Sequence, residues 1–234
     1  MKTVILAGGY GTRFPEYTQK IPKPMIKVGN VPILTHIMRL FKSYGHDDFI
    51  IAAGYKKKII KDYYKNSHEF KNLNVVDTGK STMTGGRLLR LKPYFKKNEN
   101  FFMTYGDGLC GLNINNLIEF HNKHQNHASV TAVHPPVRFG ELKIKSSKVI
   151  KFDEKPGSKS SWINGGFFVL NYKVFDYIGG DKTSFEKGPL ESLAIKKKLM
   201  AFKYEGFWKC MDNLGDKKFL DKICKENKKV PWIK

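Results

Sequence analysis

Short apolar segments alternate with segments of helical periodicity along about the first 135 residues. The apolar segments, which are typical of strands, are Thr3–Ala7, Asp48–Ala53, Asn74–Asp77, Phe101–Tyr105 and Ala128–His134. The segments with apolar residues at three- and four-residue spacing, which predict helices, are Pro32–Tyr44, Lys57–Tyr64, one beginning near Thr84, and Ile114–His124. Strands that alternate with helices of this length indicate parallel βαβ units. We therefore predict an α/β, Rossmann-like fold with helices flanking the sheet.

The remainder of the chain has a more mixed pattern. Its strand-like segments are Gly140–Ile144, Val149–Phe152 and Ile163–Leu170, and a last helix is predicted over Leu214–Lys225. We expect this part to extend the sheet, so that the whole sheet is mixed but mainly parallel, and to build part of the ligand pocket. A length of 234 residues is typical of one domain. We predict a single domain over residues 1–234 with two halves, about 1–135 and about 136–234.

The formal net charge of +21 raises nucleic-acid binding as a function. Only five of the 42 basic residues are arginine, the residue that nucleic-acid readers favour for bidentate and stacked contacts. The lysines are dispersed in short runs, such as residues 56–58 and 196–198. We therefore expect a solvated, lysine-rich surface and no nucleic-acid partner. A positive field would still help to attract anionic substrates.

Membrane and secretion signals are missing from the pattern. No apolar run approaches the roughly 18–20 residues of a membrane span, and the first strand begins almost at the N-terminus without the pattern of a signal peptide. The three cysteines, Cys110, Cys210 and Cys224, show no CxxC spacing. We therefore expect no membrane partner, no disulfide framework or structural zinc, and a cytoplasmic location.

A glycine-rich loop follows the first predicted strand. Its residues are Leu6, Ala7, Gly8, Gly9, Tyr10, Gly11, Thr12 and Arg13, and Lys23 follows ten residues after Arg13. Glycines allow the backbone to turn tightly and to direct several N–H groups at one anion, and Arg13 and Lys23 add positive charge. The loop lacks the Lys-Ser or Lys-Thr of a P-loop and has Phe14 where a dinucleotide fingerprint has its third glycine or alanine. We interpret it as a cradle for a nucleotide triphosphate; a plain turn between strand and helix is the alternative.

Asp107 lies between two glycines directly after the predicted strand Phe101–Tyr105. A plain turn is one interpretation of this pattern. The carboxyl ends of parallel strands share one edge of a sheet, however, so Asp107 is placed near the glycine-rich loop, which favours a Mg²⁺ ligand. A Mg²⁺ site needs one or two protein carboxylates, and Asp212 is the best candidate for the second. By itself, Asp212 could equally be the N-cap of the helix that follows it.

Two further patterns carry polar side chains. The run Thr82–Arg87 combines two threonines, two glycines and an arginine at a helix start, which would suit recognition of a base or phosphate. A plain helix start with Thr84 as its N-cap is the alternative, and both interpretations can hold together. His121, His124 and His127 have a spacing that could suit a metal, but no carboxylate or cysteine completes a site. We expect a solvated helix end there.

The run from Thr3 through Arg13, taken with Lys23 and Pro24, resembles the opening motif of the sugar-nucleotidyltransferase superfamily. In this superfamily a sugar 1-phosphate and a nucleoside triphosphate give a nucleoside-diphosphate sugar and pyrophosphate. The resemblance implies the nucleotide-diphospho-sugar transferase fold, with the nucleotide bound by the first half of the chain and the sugar phosphate by the second. The attacking phosphate oxygen is already ionised at neutral pH, so the reaction needs positioning and charge neutralisation by Mg²⁺, Lys and Arg, and no general base.

Further sequence blocks resemble the branch of this superfamily that transfers CMP from CTP to glucose 1-phosphate. The resemblance covers nearly the whole chain. The blocks include STMTGGRL, TYGDG, PPVRFGEL, FDEKP and INGGFFVLN. The resemblance implies that Arg13, Lys23 and Asp107 are catalytic and that Asp107 and Asp212 hold Mg²⁺. The nucleotide contacts that it implies are Leu6, Ala7, Gly8, Gly9, Tyr10, Gly11, Thr12, Arg13, Lys23, Thr82, Arg87 and Gly106. The sugar-phosphate pocket that it implies is lined by Gly140, Glu154, Lys155, Asn164 and Gly165.

Several alternatives share much of this pattern. They are a cytidylyltransferase that acts on another phosphorylated acceptor, an enzyme that uses UTP or dTTP, and a catalytically silent nucleotide-binding protein. The presence of Asp107, Arg13 and Lys23 argues against the silent protein. Between Tyr64 and Val76 the chain is shorter than the family pattern, and we leave open whether it forms homo-oligomers.

Overall fold

A seven-stranded sheet forms the centre of the computed structural model, which describes residues 1–135, 140–153 and 161–233. The strands are β1 (Thr3–Ala7), β2 (Lys27–Val28), β3 (Val31–Pro32), β4 (Asp48–Ala53), β5 (Asn72–Asp77), β6 (Asn100–Tyr105), β7 (Gly108–Cys110), β8 (Ala128–Val133), β9 (Glu141–Lys145), β10 (Lys148–Asp153), β11 (Ile163–Asn171), β12 (Leu199–Lys203) and β13 (Trp208–Cys210). The α-helices are α1 (Pro15–Thr18), α2 (Ile33–Lys42), α3 (Lys57–Tyr64), α4 (Thr84–Arg90), α5 (Ile114–His124), α6 (Pro189–Ile195) and α7 (Leu214–Glu226). Short 3-10 helices cover Lys23–Met25, Lys92–Tyr94 and Tyr172–Tyr177.

The strand order of the large sheet is β12-β8-β11-β6-β1-β4-β5. β1 is parallel to its neighbours β4 and β6, β4 is parallel to β5, and β12 is parallel to β8. Only β11 runs antiparallel to its neighbours in this sheet. The sheet is therefore mixed, mainly parallel and flanked by helices, which confirms the predicted fold class.

Hydrophobic clusters pack on both faces of the sheet. In β1, Ile5 and Ala7 belong to one cluster, together with apolar residues of α2, α3, α5 and α7. Val4 and Leu6 point to the opposite face and belong to a second cluster, with residues of α4 and α6. Because successive side chains of a strand point to opposite faces, a central strand between two helical layers is apolar at every position rather than at alternate ones.

Most of the elements predicted from the pattern are present, with bounds that differ by no more than two residues. The predictions for β1, β4, α3 and α5 match the observed bounds. The prediction missed α1, β12, α6, the two-residue strands β2 and β3, and the three-residue strands β7 and β13. These elements are too short to show a clear periodicity, and β12 directly follows the lysine run 196–198 at the sheet edge.

The second half of the chain extends the large sheet only in part. β11 joins it as predicted, and β12, which the pattern did not indicate, adds an edge strand, whereas β9 and β10 pair with each other in a separate two-stranded sheet. The side chains of Leu142, Ile144, Val149 and Phe152 in this hairpin are all more than half exposed. The prediction that these two strands extend the sheet is therefore wrong. The division into halves at about residue 135 stays a prediction.

The helices are short, and α7 with its 13 residues is the longest among the described residues. None of the helices found in this part of the chain combines the length and the apolar character that a membrane crossing requires.

Candidate active site

The carboxyl ends of β1 and β6 open onto a cavity of about 660 Å³. Because these two strands are parallel neighbours, the loop that follows β1 and the turn that follows β6 lie at the same edge of the sheet. β11 runs antiparallel to β6, so the beginning of β11, with Asn164 and Gly165, lies at that edge as well. The topology thus gathers segments from both halves of the chain around one cavity.

Most of the predicted site residues line this cavity: Leu6, Ala7, Gly8, Gly9, Gly11, Thr12, Arg13, Lys23, Thr82, Arg87, Gly106, Asp107, Asn164, Gly165 and Asp212. Tyr10 is not in the lining; it is 42% exposed, and its ring packs against Tyr55 with centroids 5.2 Å apart. Gly140 lies just before β9 and is also outside the lining. Glu154 and Lys155 lie outside the described residues.

The glycine-rich loop requires glycine at Gly11. Its φ is +66°, a left-handed conformation, and a Cβ built there would lie 2.6 Å from Cγ2 of Thr18. Thr18 in turn donates a hydrogen bond from its hydroxyl to the carbonyl oxygen of Gly11 at 3.1 Å and to that of Phe14 at 3.0 Å. The hydroxyl of Thr18, the last residue of α1, therefore stabilises the turn at the end of the loop.

Arg87 holds the beginning of the same loop in place through a hydrogen bond to Gly8. Its guanidinium donates to the carbonyl oxygen of Gly8 at 2.9 Å, to that of Gly79 at 2.6 Å and to the hydroxyl of Thr78 at 2.9 Å. The residue is only 4% exposed, and burial lowers its pKa. A Cβ at Gly8 would overlap the guanidinium, so a larger residue there would displace Arg87 from these hydrogen bonds. Arg87 thus positions the loop, and its contact with a nucleotide stays a prediction.

A small strand pair brings Asp212 to Asp107, although the two residues are far apart in the sequence. β7 and β13 are antiparallel, with Gly108 opposite Cys210. Directly after this pairing, the N–H of Met211 donates to the carbonyl oxygen of Asp107 at 2.9 Å. Since Asp107 precedes β7 and Asp212 follows β13, this pairing places both carboxylates at the same side of the cavity.

Asp212 is not the N-cap of α7, which was the alternative for this residue. The cap is Asn213, whose side-chain oxygen accepts a hydrogen bond from the N–H of Asp216 at 2.9 Å. The N–H of Asp212 donates to the carboxylate of Asp216 at 2.9 Å. The carboxylate of Asp212 is thereby left to face the cavity.

Lys23 bridges the two carboxylates. Its Nζ lies 2.7 Å from Oδ2 of Asp107 and 2.7 Å from Oδ1 of Asp212, and Nη1 of Arg13 lies 3.0 Å from Oδ2 of Asp212. Burial by itself would lower the pKa of Lys23, but the charge and hydrogen bonds of Asp107 and Asp212 raise this pKa above its usual value. Burial opposes ionisation of Asp212, yet Lys23 and Arg13 hold its pKa below its usual value. Two carboxylates and two cations therefore meet at this side of the cavity.

The same residues fit a divalent cation. One ligating atom each of Asp107, Cys210 and Asp212 lies within 4.8 Å of the others. Carboxylate oxygens are the ligands that Mg²⁺ prefers. Burial, together with the negative charge of Asp107 and Asp212, raises the pKa of the Cys210 thiol, which is therefore protonated at neutral pH and a poor ligand for Mg²⁺.

Glu186 is a cavity residue that sequence reasoning missed. Its carboxylate accepts hydrogen bonds from the hydroxyls of Thr84 at 2.6 Å, Tyr105 at 2.6 Å and Ser184 at 2.7 Å. Burial would raise the pKa of Glu186, but these hydroxyl donors hold it below its usual value. Two of the three donors come from distant parts of the chain, and the sequence around Glu186 carries no motif that could have indicated the cluster.

The prediction that Thr84 is the N-cap of its helix is wrong. The N-cap position of α4 is Met83, and no side-chain hydrogen bond caps it. The hydroxyl of Thr84 instead donates to Glu186 and accepts from the N–H of Phe185 at 2.8 Å. The hydroxyl of Thr84 therefore bonds to residues that are distant in the sequence, Phe185 and Glu186, and not to the backbone of its own helix.

The histidines at the end of α5 are not a solvated cluster. His121 is only 2% exposed, and its Nδ1 lies 2.9 Å from the hydroxyl of Ser129. His124 shares that hydroxyl through Nε2 at 2.8 Å. Burial lowers the pKa of His121 to about 4. The pair belongs to the packing between α5 and β8, away from the described lining of the cavity, which contains no histidine.

Comparisons with known proteins find a matching family model and relatives that are similar over nearly the full length of the chain. The family model for nucleotidyl transferases matches residues 2–210. A glucose-1-phosphate cytidylyltransferase of Salmonella typhimurium is 46% identical over 254 aligned residues, which cover 99% of this chain and 98% of that protein. A protein of Bacillus subtilis described as a probable glucose-1-phosphate cytidylyltransferase is 37% identical, with 98% of each chain covered. A solved UDP-glucose pyrophosphorylase complexed with UDP-glucose has a TM-score of 0.75 at 18% identity, over 96% of this chain and 98% of that chain, a likeness that shows the fold alone.

The alignment with the Salmonella protein is longer than this chain. It spans 254 positions against 234 residues, so that relative has at least 20 residues without a counterpart here. In the structure, only residues 65–71 join α3 to β5. That these additional residues of the relative fall between the positions of Tyr64 and Val76 stays a prediction.

Proposed function

The chain belongs to the nucleotidyl transferase family, and from this premise we propose that it transfers CMP from CTP to glucose 1-phosphate, giving CDP-glucose and pyrophosphate. One observation carries the proposal. Asp107 and Asp212 lie together beside the glycine-rich loop, with Lys23 and Arg13 bonded to them. This arrangement suits the binding of a triphosphate and a divalent cation, and the full-length similarity to cytidylyltransferases supports the substrates.

The chemistry requires charge neutralisation more than proton transfer. A phosphate oxygen of the sugar phosphate attacks the α-phosphorus of CTP in line, and pyrophosphate leaves. Asp107 and Asp212 would hold Mg²⁺, which when bound neutralises charge on the phosphates. Arg13, Lys23 and the N–H groups of the glycine-rich loop would bind and orient the triphosphate.

The beginning of β11 is the proposed place for the sugar phosphate. The backbone is held there by Trp208, whose indole Nε1 donates to the carbonyl oxygen of Gly165 at 2.7 Å. The side-chain oxygen of Asn164 accepts from the N–H of Gly166 at 2.8 Å, which orients the Asn164 amide. Lys155 and Glu154 follow β10 in the chain and are proposed to complete this pocket.

The preference for CTP rests on the similarity to cytidylyltransferases. Cytosine differs from uracil and thymine in its N4 amine, which donates a hydrogen bond where the other two bases present an acceptor. A site that offers a buried acceptor at this position leaves two carbonyl oxygens facing each other when UTP or dTTP binds, and such unpaired groups reduce affinity strongly.

We also propose that the protein works in the cytoplasm. Its cysteines, Cys110, Cys210 and Cys224, are all free, which suits a reducing compartment. Burial raises the pKa of Cys110 to about 12, so this thiol is unreactive at neutral pH.

One assay tests the function. Pyrophosphate release is measured for CTP, UTP, dTTP and GTP, each with a set of sugar 1-phosphates, in the presence of Mg²⁺. With glucose 1-phosphate, we expect kcat/KM for CTP to exceed that for UTP or dTTP at least about tenfold, a difference of roughly 1.4 kcal/mol. A preference for UTP or dTTP would contradict the nucleotide assignment. Turnover of CTP only with another phosphate would contradict the sugar assignment and leave the nucleotide assignment standing.

A further inference from the structure

Lys23 occupies the place between Asp107 and Asp212 where a divalent cation would bind. We propose that Lys23 is an exchangeable cation: its ammonium holds the two carboxylates together until a triphosphate enters, and then moves to the triphosphate and releases both carboxylates to the divalent cation. The inference rests on the proposed metal site and concerns the order in which that site fills. Its consequence is that the divalent cation and the triphosphate bind together, whereas the cation alone binds weakly.

The hydrogen bonds of the carboxylates support this proposal. Oδ2 of Asp107 and Oδ1 of Asp212 each accept from Nζ of Lys23 at 2.7 Å, and Oδ2 of Asp212 accepts from Arg13 at 3.0 Å. Both oxygens of Asp212 are therefore already bonded to cationic side chains. A divalent cation that binds this carboxylate must therefore share its oxygens with these cationic side chains or displace one of them.

Charge makes Lys23 the side chain that must move. Mg²⁺ binds carboxylate oxygens at about 2.1 Å, so an ammonium that stays 2.7 Å from the same carboxylates would be within a few ångströms of a second, doubly charged cation. Repulsion is strong at this place because Lys23 is only 7% exposed and water screens the charges little. Arg13 is different, since its side chain is 71% exposed and its ion pair is weakly held.

The backbone of Lys23 is fixed, and its ammonium has another partner within reach. Lys23 begins a 3-10 helix that includes Pro24, and Pro24 packs so close to Gly106 that a Cβ there would lie 2.8 Å from its Cγ. The stem of the Lys23 side chain runs beside the glycine-rich loop, because a Cβ built on Gly11 would lie 3.2 Å from Cβ of Lys23. A triphosphate in that loop would offer oxygens to the same ammonium, which rotates on a flexible four-carbon stem.

The coupling is reciprocal. If a triphosphate removes Lys23 from the carboxylates and thereby raises the affinity for the divalent cation, the cation must raise the affinity for the triphosphate by the same factor. Lys23 thus links two binding events that the fold places side by side.

The first test measures metal affinity without any phosphate compound. Free Mn²⁺ is followed by electron paramagnetic resonance during titration of the unliganded protein, the Lys23→Met variant and the Lys20→Met variant. Lys20 is an exposed lysine in the same segment and serves as the matched control. We expect Lys23→Met to bind Mn²⁺ at least about tenfold more tightly than the other two proteins, and Asp107→Asn in the Lys23→Met background to remove this gain.

Two outcomes would overturn the proposal: Lys23→Met binds Mn²⁺ no more tightly than Lys20→Met, or its tighter binding survives Asp107→Asn. A second measurement uses the unmodified protein, so that it does not depend on the folding of the methionine variant. The ammonium resonance of Lys23 is observed by NMR after ¹⁵N-lysine labelling and is assigned by its loss in Lys23→Arg. We expect Mg²⁺ alone to leave this resonance in place, and Mg²⁺ with inorganic triphosphate to shift it.

A full shift with Mg²⁺ alone would also overturn the proposal. Inorganic triphosphate carries neither base nor sugar, so the result does not depend on which nucleotide or sugar phosphate the enzyme uses. Failure of the CTP assay with success here would contradict the proposed substrates only, and the reverse outcome would contradict only the exchange of Lys23.

Discussion

Two parts of the cavity hold carboxylates, and they are neutralised in different ways. In the first, which we call the cation cluster, Asp107 and Asp212 are bonded to Lys23 and Arg13. In the second, which we call the hydroxyl cluster, Glu186 accepts from Thr84, Tyr105 and Ser184. Cationic partners neutralise the charge of a carboxylate and can be exchanged for another cation, whereas hydroxyls only donate hydrogen bonds to it and leave its charge in place.

This difference indicates different tasks. The cation cluster is built from groups that a metal ion and phosphates can engage, so we expect its loss to affect the reaction. The hydroxyl cluster joins α4, the end of β6 and the segment before α6 through one half-buried carboxylate. We expect its loss to affect mainly the stability of the folded protein. The predictions below test this contrast.

The largest effect is expected from the cation cluster itself. Asp107→Asn should keep the fold and reduce kcat/KM by roughly 1,000-fold, about 4 kcal/mol, because one carboxylate of the metal site is lost. Pyrophosphate release at saturating Mg²⁺ measures the effect. Asp62→Asn, at an exposed carboxylate of α3, is the matched control and should be active. Near-normal kcat of Asp107→Asn with Mg²⁺ would show that the metal assignment is wrong.

The next effect separates placed charge from bulk charge. Lys23→Ala and Arg13→Ala should each reduce kcat/KM by about 30- to 100-fold, because their cations are aimed at the phosphates. Removal of Lys196, Lys197 or Lys198 should change it by less than about threefold, because an exposed lysine run contributes little. Equal losses of kcat/KM in these two sets of variants would mean that the enzyme responds to net charge. That result would contradict the interpretation of the glycine-rich loop, Arg13 and Lys23 as a triphosphate site.

A smaller effect is expected in the hydroxyl cluster. Glu186→Gln should lower the free energy of unfolding by about 2 kcal/mol, because the Gln amide has only one acceptor oxygen and its NH2 faces hydroxyls that donate to the carboxylate, so hydrogen bonds of the half-buried cluster are lost. Urea denaturation measures this loss, with Glu119→Gln at an exposed position of α5 as control. If Glu186→Gln were as stable as the unmodified protein but catalytically dead, Glu186 would have to be assigned to the reaction instead.

The smallest effect is the pH dependence of that loss. The hydroxyls hold the folded-state pKa of Glu186 below its usual value of 4.5, so the ionised carboxylate binds its proton less readily in the folded than in the unfolded protein. Its stabilisation is therefore present above about pH 4.5 and is lost as pH falls through the lowered pKa. The difference in unfolding free energy between the unmodified protein and Glu186→Gln should narrow when urea curves are recorded at successively lower pH. A constant difference would mean that Glu186 is not ionised in the fold.

Much of the architecture was predictable from the pattern of apolar residues. Buried central strands such as β1 and β4 are apolar at every position after the first, and amphipathic helices such as α5 show their period over several turns, so both can be identified without the fold. Several short elements, such as β7, β13 and α6, were missed, because so few residues contain too few repeats of either period. β9 and β10 were identified as strands, but their pairing was not predictable, since the same apolar residues suit a large sheet or a separate hairpin.

The candidate site likewise has features that could be predicted from the sequence and features that could not. The sequence by itself determined the glycine-rich loop, the charges of Arg13 and Lys23, and the strand-end position of Asp107, because each is a property of neighbouring residues. Only the tertiary structure decided that Asp212 meets Asp107, that Arg87 supports Gly8, and that Glu186 gathers three hydroxyls. These contacts join residues that are far apart in the chain, and strand register and helix packing set their distances. Such distances follow from the packing of the whole molecule, and no local pattern encodes them.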